Sequence, residues 1–166
     1  MSKENSPYQV SILMGSDSDL EVMRACQDTL KDFGVVSDMK VLSAHRTPEA
    51  LAEYLKEAEK QGVQVFVAAA GMAAHLAGAV SSKTVKPVIG VPLDASSLGG
   101  LDALLSTVQM PAGIPVATVA IGKAGAKNAA FLAVQILGLS DPVLAQKLVD
   151  QRKKNAAALL AKNDNL

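Results

Sequence analysis

The stretch Ser43-Ala44-His45-Arg46-Thr47-Pro48 places one of the chain's two histidines beside an arginine, where a buried strand is expected to end. Thr47 is a helix-capping residue type and Pro48 suits a first helical turn, so His45 and Arg46 fall on a short strand-to-helix loop. An imidazole can give and take a proton near neutral pH, and a guanidinium is a permanent cation. Together they point to proton transfer on an anionic substrate. The plainer alternatives are a loop histidine bonded to a backbone carbonyl and an ordinary surface arginine.

Two further loops carry chemistry of the same kind. Gly15-Ser16-Asp17-Ser18-Asp19 follows the first apolar run and opens a helix. Backbone N–H groups at a helix start, with the hydroxyls of Ser16 and Ser18, make a seat for phosphate. Asp19 would be repelled there and suits a ribose hydroxyl. Simple turn chemistry with Ser18 as the N-cap explains the same residues. Gly71-Met72-Ala73-Ala74-His75-Leu76 follows the third apolar run, and its small residues let backbone approach a flat ligand closely. His75 is either a second polar contact or a satisfied histidine in a first helical turn. Two histidines without a carboxylate cluster make a poor metal site, and no dinucleotide or Walker pattern is present.

The elements that must position these loops alternate. Val10–Met14 reads as a strand, followed by a helix over Ser18–Phe33 opened by a Ser18-x-x-Glu21 capping box and ended by Gly34. Val35–Leu42 is a second strand, and Pro48–Gln61 a helix closed by Gly62. Val63–Ala70 lacks alternation and reads as a strand buried on both faces, before a helix over Ala73–Lys83. Strand Pro87–Val91, helix Leu101–Val108, strand Val116–Ile121 and helix Ala124–Leu137 continue the pattern. A last helix runs from Asp141-Pro142 to about Ala161. This order predicts an α/β fold, a flavodoxin-like three-layer αβα sandwich with a central parallel sheet and an extra C-terminal helix. Ligands bind such sheets at the carboxyl ends of the strands, where all three loops fall. No strand follows the last helix, and its apolar positions, among them Leu144, Leu148, Val149, Leu159 and Leu160, need a surface such as a neighbouring subunit.

Composition sets the outer bounds. A chain of 166 residues is expected to form a single domain, 1–166, with residues 1–8 a polar N-terminal segment lacking a signal core. Hydrophobic residues reach 49% but aromatics only 3%, so the core must be built from small aliphatic side chains. Lys+Arg and Asp+Glu both number 16, which argues against nucleic-acid or membrane-surface binding, since both need a basic field. The lone Cys26 excludes an intramolecular disulfide or a cysteine-cluster metal site. No apolar run is long enough to cross a membrane, and a cytoplasmic location is expected.

Taken in order, Gly15-Ser-Asp-Ser-Asp19, Ser43-Ala-His-Arg-Thr-Pro48, Ala74-His75-Leu76, Val108-Gln-Met-Pro111, Gly113-Ile-Pro115 and Ala120-Ile-Gly-Lys-Ala-Gly125 resemble the PurE family of purine biosynthesis. The resemblance covers about Gln9 to Leu137. It implies conversion of N5-carboxyaminoimidazole ribonucleotide into 4-carboxy-5-aminoimidazole ribonucleotide, with no cofactor and no metal. By that likeness His45 is the general acid/base, and Arg46 with the helix-start hydroxyls of Ser16 and Ser18 meets phosphate. Asp19 meets ribose, while Ser43, Ala44, Gly71, Ala74, His75 and Leu76 complete the substrate site, with the Gly71–Leu76 loop as the wall around trapped CO2. It further implies a homo-octamer with sites at subunit junctions. Arg46 in place of lysine resembles the bacterial-type mutases rather than the carboxylases that use CO2 directly. That direct carboxylase, and a non-catalytic flavodoxin-like binder of a phosphorylated ligand, are the alternatives. Some positions depart from the family pattern: Leu20 stands where Trp is common, Met72 where Gly is common, and Ala77-Gly78-Ala79 where Pro-Gly-Met is common.

Overall fold

Five parallel strands build one sheet in the order β2-β1-β3-β4-β5. They are β1 (Val10–Met14), β2 (Ser37–Val41), β3 (Val65–Gly71), β4 (Val88–Leu93) and β5 (Ala117–Thr118). The helices are α1 (Leu20–Asp32), α2 (Pro48–Lys60), α3 (Leu76–Ser81), α4 (Leu101–Val108), α5 (Gly122–Gly138) and α6 (Pro142–Leu160). The computed structural model describes residues 8–165, so nearly all of the polar N-terminal segment lies outside the described residues.

Period-two alternation sorts the strand side chains between two cores. Val10, Ile12 and Met14 of β1, with Val65, Val67 and Ala69 of β3, pack under α1 and α5 through Met23, Cys26, Leu30, Ala126, Ala129 and Ala130. Leu13, Phe66 and Ala68 face the other way, onto Leu51, Leu55 and Ala58 of α2 and Leu76, Ala77 and Val80 of α3. This is the flavodoxin-like sandwich expected from the pattern. Each fully buried aliphatic side chain contributes ~1.5–3 kcal/mol, and the alanine-rich face of α5 lets that helix lie close to the sheet. One polar group sits inside the second core. Ser11 donates its hydroxyl to Tyr54 Oη at 2.7 Å, and Tyr54 in turn donates to Asp38 Oδ2 at 2.9 Å. Burial, with the neighbouring Asp38, pushes the Tyr54 phenol above its ordinary pKa, so it stays a donor.

Gly34 and Gly62 end α1 and α2 as expected, at φ +79° and +97°, where a side chain would be strained. Other expectations are corrected. β2 is a partly exposed edge strand rather than a buried one, because only β1 pairs with it. β5 shrinks from Val116–Ile121 to two residues, being the opposite edge with β4 as its sole partner. α3 is shorter than Ala73–Lys83, since residues before Leu76 serve the loop described below. The last helix starts where predicted, with Asp141 Oδ1 accepting from the N–H groups of Val143 and Leu144 at 2.9 and 3.2 Å. Only Leu144 of α6 is buried; Val143, Val149, Leu159 and Leu160 are exposed. Lys147 Nζ ties the helix down by donating to the Phe33 carbonyl at 2.7 Å, at the C-terminal end of α1.

Candidate active site

The chain leaves β1 for β2 on one side and then crosses back to β3 on the other, so the strand order reverses at β1. Loops that diverge at such a reversal leave a crevice at the carboxyl ends of the strands. A cleft of about 540 Å³ lies there, lined by the loops after β1, β2 and β3. A larger cleft of about 790 Å³ sits at the opposite, amino ends of β4 and β5, among Lys83, Thr84, Lys86 and Gly113–Pro115. It holds neither histidine and no arginine, and its Thr84 hydroxyl donates to Glu59, so the pairing of imidazoles with a fixed cation selects the smaller one.

The β1 loop is organised by a capping box shifted from the expected one. Ser16, not Ser18, is the N-cap, of a 3-10 turn over Asp17–Asp19 that runs into α1. Its Oγ accepts from Ser18 N at 3.3 Å, and Asp19 Oδ2 accepts from Ser16 N at 3.2 Å. Asp17 and Asp19 introduce carboxylates before Glu21 can serve, so the box forms one turn earlier. Ser18 keeps its hydroxyl on the cleft and donates to Asp19 Oδ1 at 3.3 Å. Burial raises the Asp19 pKa above its ordinary value, and the bonds from Ser18 and Ser16 offset this only in part.

Ser43 organises the second loop. Its Oγ accepts from the backbone N–H groups of His45 and Arg46 at 3.3 and 3.1 Å. Thr47 stands at the N-cap position of α2 but makes no capping bond; Oγ1 instead accepts from Ser43 N at 2.9 Å and donates to Ser43 O at 3.1 Å. Pro48 occupies the first helical turn as expected. This tight loop aims Arg46 across the cleft, where Nη2 donates to the Gly15 carbonyl at 2.7 Å and stitches the β1 and β2 loops together.

The third loop meets the second through its histidine. His45 Nε2 and His75 Nδ1 are 2.7 Å apart, with the rings edge-to-face at 81°. Only one hydrogen fits between two nitrogens at that distance, so one ring donates and the other accepts. His75 is thus neither in the first turn of α3 nor satisfied by backbone; it is the residue before the helix, and its partner is the other histidine. Gly71 is required by a close approach, since a Cβ there would stand 2.5 Å from the Ala95 Cβ. Met72 follows at φ +56°, a left-handed conformation that costs a non-glycine residue about 1–2 kcal/mol.

Of the residues singled out in the sequence, Ser16, Ser18, Asp19, Ser43, Ala44, His45, Arg46, Gly71, His75 and Leu76 all line this one cleft. Ala74 does not. It is buried behind the wall, and its N–H donates to Ser106 Oγ of α4 at 3.0 Å. Ser106 and Ala95 were not legible beforehand, because nothing local marks a mid-helix serine or a loop alanine as a wall support. Among the described residues no group of three or more His, Cys, Asp or Glu comes together to hold a metal. The cleft is open to solvent in this chain, since both histidines are exposed.

The sequence model of the AIR carboxylase family matches residues 9–158. The chain belongs to the AIR carboxylase family. The chain is 48% identical over 164 residues to an Escherichia coli K12 relative, covering 99% of this chain and 97% of that protein. A Bacillus subtilis relative is 50% identical over 157 residues, covering 95% and 97%. A Saccharolobus solfataricus relative is 56% identical over 140 residues, covering 84% and 87%. All three are described as N5-carboxyaminoimidazole ribonucleotide mutase. Among solved structures, Treponema denticola PurE superposes with a TM-score of 0.86 at 32% identity, covering 95% of this chain and 97% of that one. The likeness to the PurE family seen in the loop motifs therefore extends to the whole AIR carboxylase fold.

Proposed function

We propose that the protein is an N5-carboxyaminoimidazole ribonucleotide mutase of purine biosynthesis, an isomerase that moves a carboxylate from the exocyclic nitrogen of its substrate to the ring carbon. The hydrogen-bonded His45–His75 pair in a cleft with an anion seat carries this reading. Relatives at about half identity over nearly the full chain support it. A passive phosphate binder has no use for two imidazoles sharing a proton.

In this reading the phosphate sits against Arg46 and the hydroxyls of Ser16 and Ser18, at the start of the 3-10 turn. The carboxylate of Asp19 keeps free lone pairs beyond its two hydrogen bonds and takes a ribose hydroxyl. Ser43 and Ala44 flank the base on one side, and Gly71 and Leu76 on the other. The carbamate N–C bond then breaks, releasing neutral CO2, and the electron pair left on nitrogen takes a proton from His45. The ring carbon attacks CO2, and the proton that carbon loses returns to His45. His75, 2.7 Å away, lets the proton rest on either ring between the two transfers. Protons balance without any cofactor. Arg46 in place of lysine accords with the mutase rather than the carboxylase of the same family.

The exposed apolar residues of α6 support self-association, and a homo-octamer with sites at its junctions would also shield the open cleft. No helix among the described residues is long and apolar enough to cross a membrane, and the activity suits a cytoplasmic enzyme. The test supplies purified protein with N5-carboxyaminoimidazole ribonucleotide, without ATP, metal or bicarbonate. Isomerised product at catalytic rate is expected. Product only from aminoimidazole ribonucleotide plus bicarbonate would mark a direct carboxylase, and ligand binding without turnover would refute an enzyme.

A further inference from the structure

Met72 is the one non-glycine residue with positive φ among the described residues, and it lines the cleft. Both of its flanks are anchored. Gly71 is pressed against Ala95, and the Ala74 N–H is held by Ser106 Oγ. The chain must therefore turn left-handed between them, which glycine would do without strain. Instead the turn carries a long thioether that is 61% exposed on the wall that ends at His75. The backbone gains nothing from that side chain, so its use must lie in what it faces.

What it faces is a cleft of mixed polar and apolar lining that the proposed chemistry needs to keep dry. Between the breaking of the N–C bond and the making of the C–C bond, CO2 is held by no covalent bond, carries no charge and accepts only weak hydrogen bonds. The cleft's arginine, three serines and aspartate cannot hold it, which leaves that task to the apolar part of the lining, where Met72 is the long, exposed side chain. A flexible, polarizable apolar side chain at the mouth can slow its exit and the entry of water. We propose that Met72 is a retention residue, an apolar lip that keeps CO2 in the cleft until it is recaptured. This rests on the mutase reading above.

The experiment runs unlabelled N5-carboxyaminoimidazole ribonucleotide in ¹³C-bicarbonate with carbonic anhydrase, and measures ¹³C in the product at early turnover. Retained CO2 gives unlabelled product; escaped and exchanged CO2 gives labelled product. Met72→Ala removes the side chain and keeps the strained turn, whereas Met72→Gly removes both. Each variant should raise the labelled fraction at least about threefold, and Met72→Leu should return it toward wild type. Circular dichroism confirms that each variant is folded. Equal labelling in wild type, Ala and Gly variants overturns the proposal, as does a rise in the Gly variant alone, which would assign the effect to backbone freedom. A wild-type protein that makes no product under any labelling overturns the mutase reading and this one with it.

Discussion

Ser106→Ala isolates the support of the loop that carries Met72 and His75. In the native protein Ser106 Oγ accepts the N–H of Ala74, a residue only 1% exposed, and donates to the Asp102 carbonyl at 2.6 Å. Alanine leaves that buried N–H without a partner, which costs ~1–3 kcal/mol. Against this, Ser→Ala inside a helix gains ~0.5 kcal/mol of propensity. The Asp102 carbonyl loses a bond it shares with the helix ladder, so it adds little. The net loss is about 1–2 kcal/mol. For a chain of this size that lowers Tm by about 2–8 °C. Urea denaturation at fixed protein concentration, followed at 222 nm, measures the loss. Turnover should fall as well, because the wall that seats His75 opposite His45 loosens. Ser106→Thr keeps the hydroxyl and should recover most of both. A Ser106→Ala variant as stable as wild type would refute the reasoning, by showing that water satisfies the Ala74 N–H or that the loop does not depend on it.

Three further perturbations read the site directly. His45→Asn should lower kcat by ~10²–10⁴ while the circular dichroism spectrum stays unchanged, and retained turnover would remove His45 from proton transfer. Arg46→Ala loses a charge-assisted contact worth ~1.5–3 kcal/mol, so KM should rise by about 10–100-fold with a smaller change in kcat; an unchanged KM would argue against a phosphate contact. Asp19 titrates above its ordinary value in the folded protein because it is buried, so the native state binds that proton more tightly than the unfolded chain. Stability of the wild type relative to Asp19→Asn should therefore grow as pH falls through the raised value, and level off below the ordinary carboxylate range. Paired denaturation curves from pH 7 to pH 3 measure the difference, and a wild type that loses stability relative to Asp19→Asn on acidification would contradict the burial argument.

Legibility followed the range of the physics. Helix stops at Gly34 and Gly62 depend on one residue's backbone freedom and were readable from the chain. The capping box was not, because Ser16 and Ser18 are both competent caps and only the path of the chain out of β1 chose between them. β2 looked buried from its apolar residues, yet its place at the sheet edge was set by which strand it paired with. Ala74 belonged to a motif read as a contact, and its burial placed it behind the wall instead.

The sequence by itself determined the alternation of strand and helix, the three loops at the carboxyl ends of β1, β2 and β3, and which of their residues can handle protons and anions. These follow from periodicity and residue chemistry, which act within a few positions. Only the tertiary structure decided that His45 and His75, thirty positions apart, share one proton, that Arg46 reaches back to Gly15, and that Ser106 holds the loop between Gly71 and His75. The reason is topological. The reversal of strand order at β1 gathers the three loops at one crevice, and a distance of 2.7 Å between two nitrogens has no signature in the local chain.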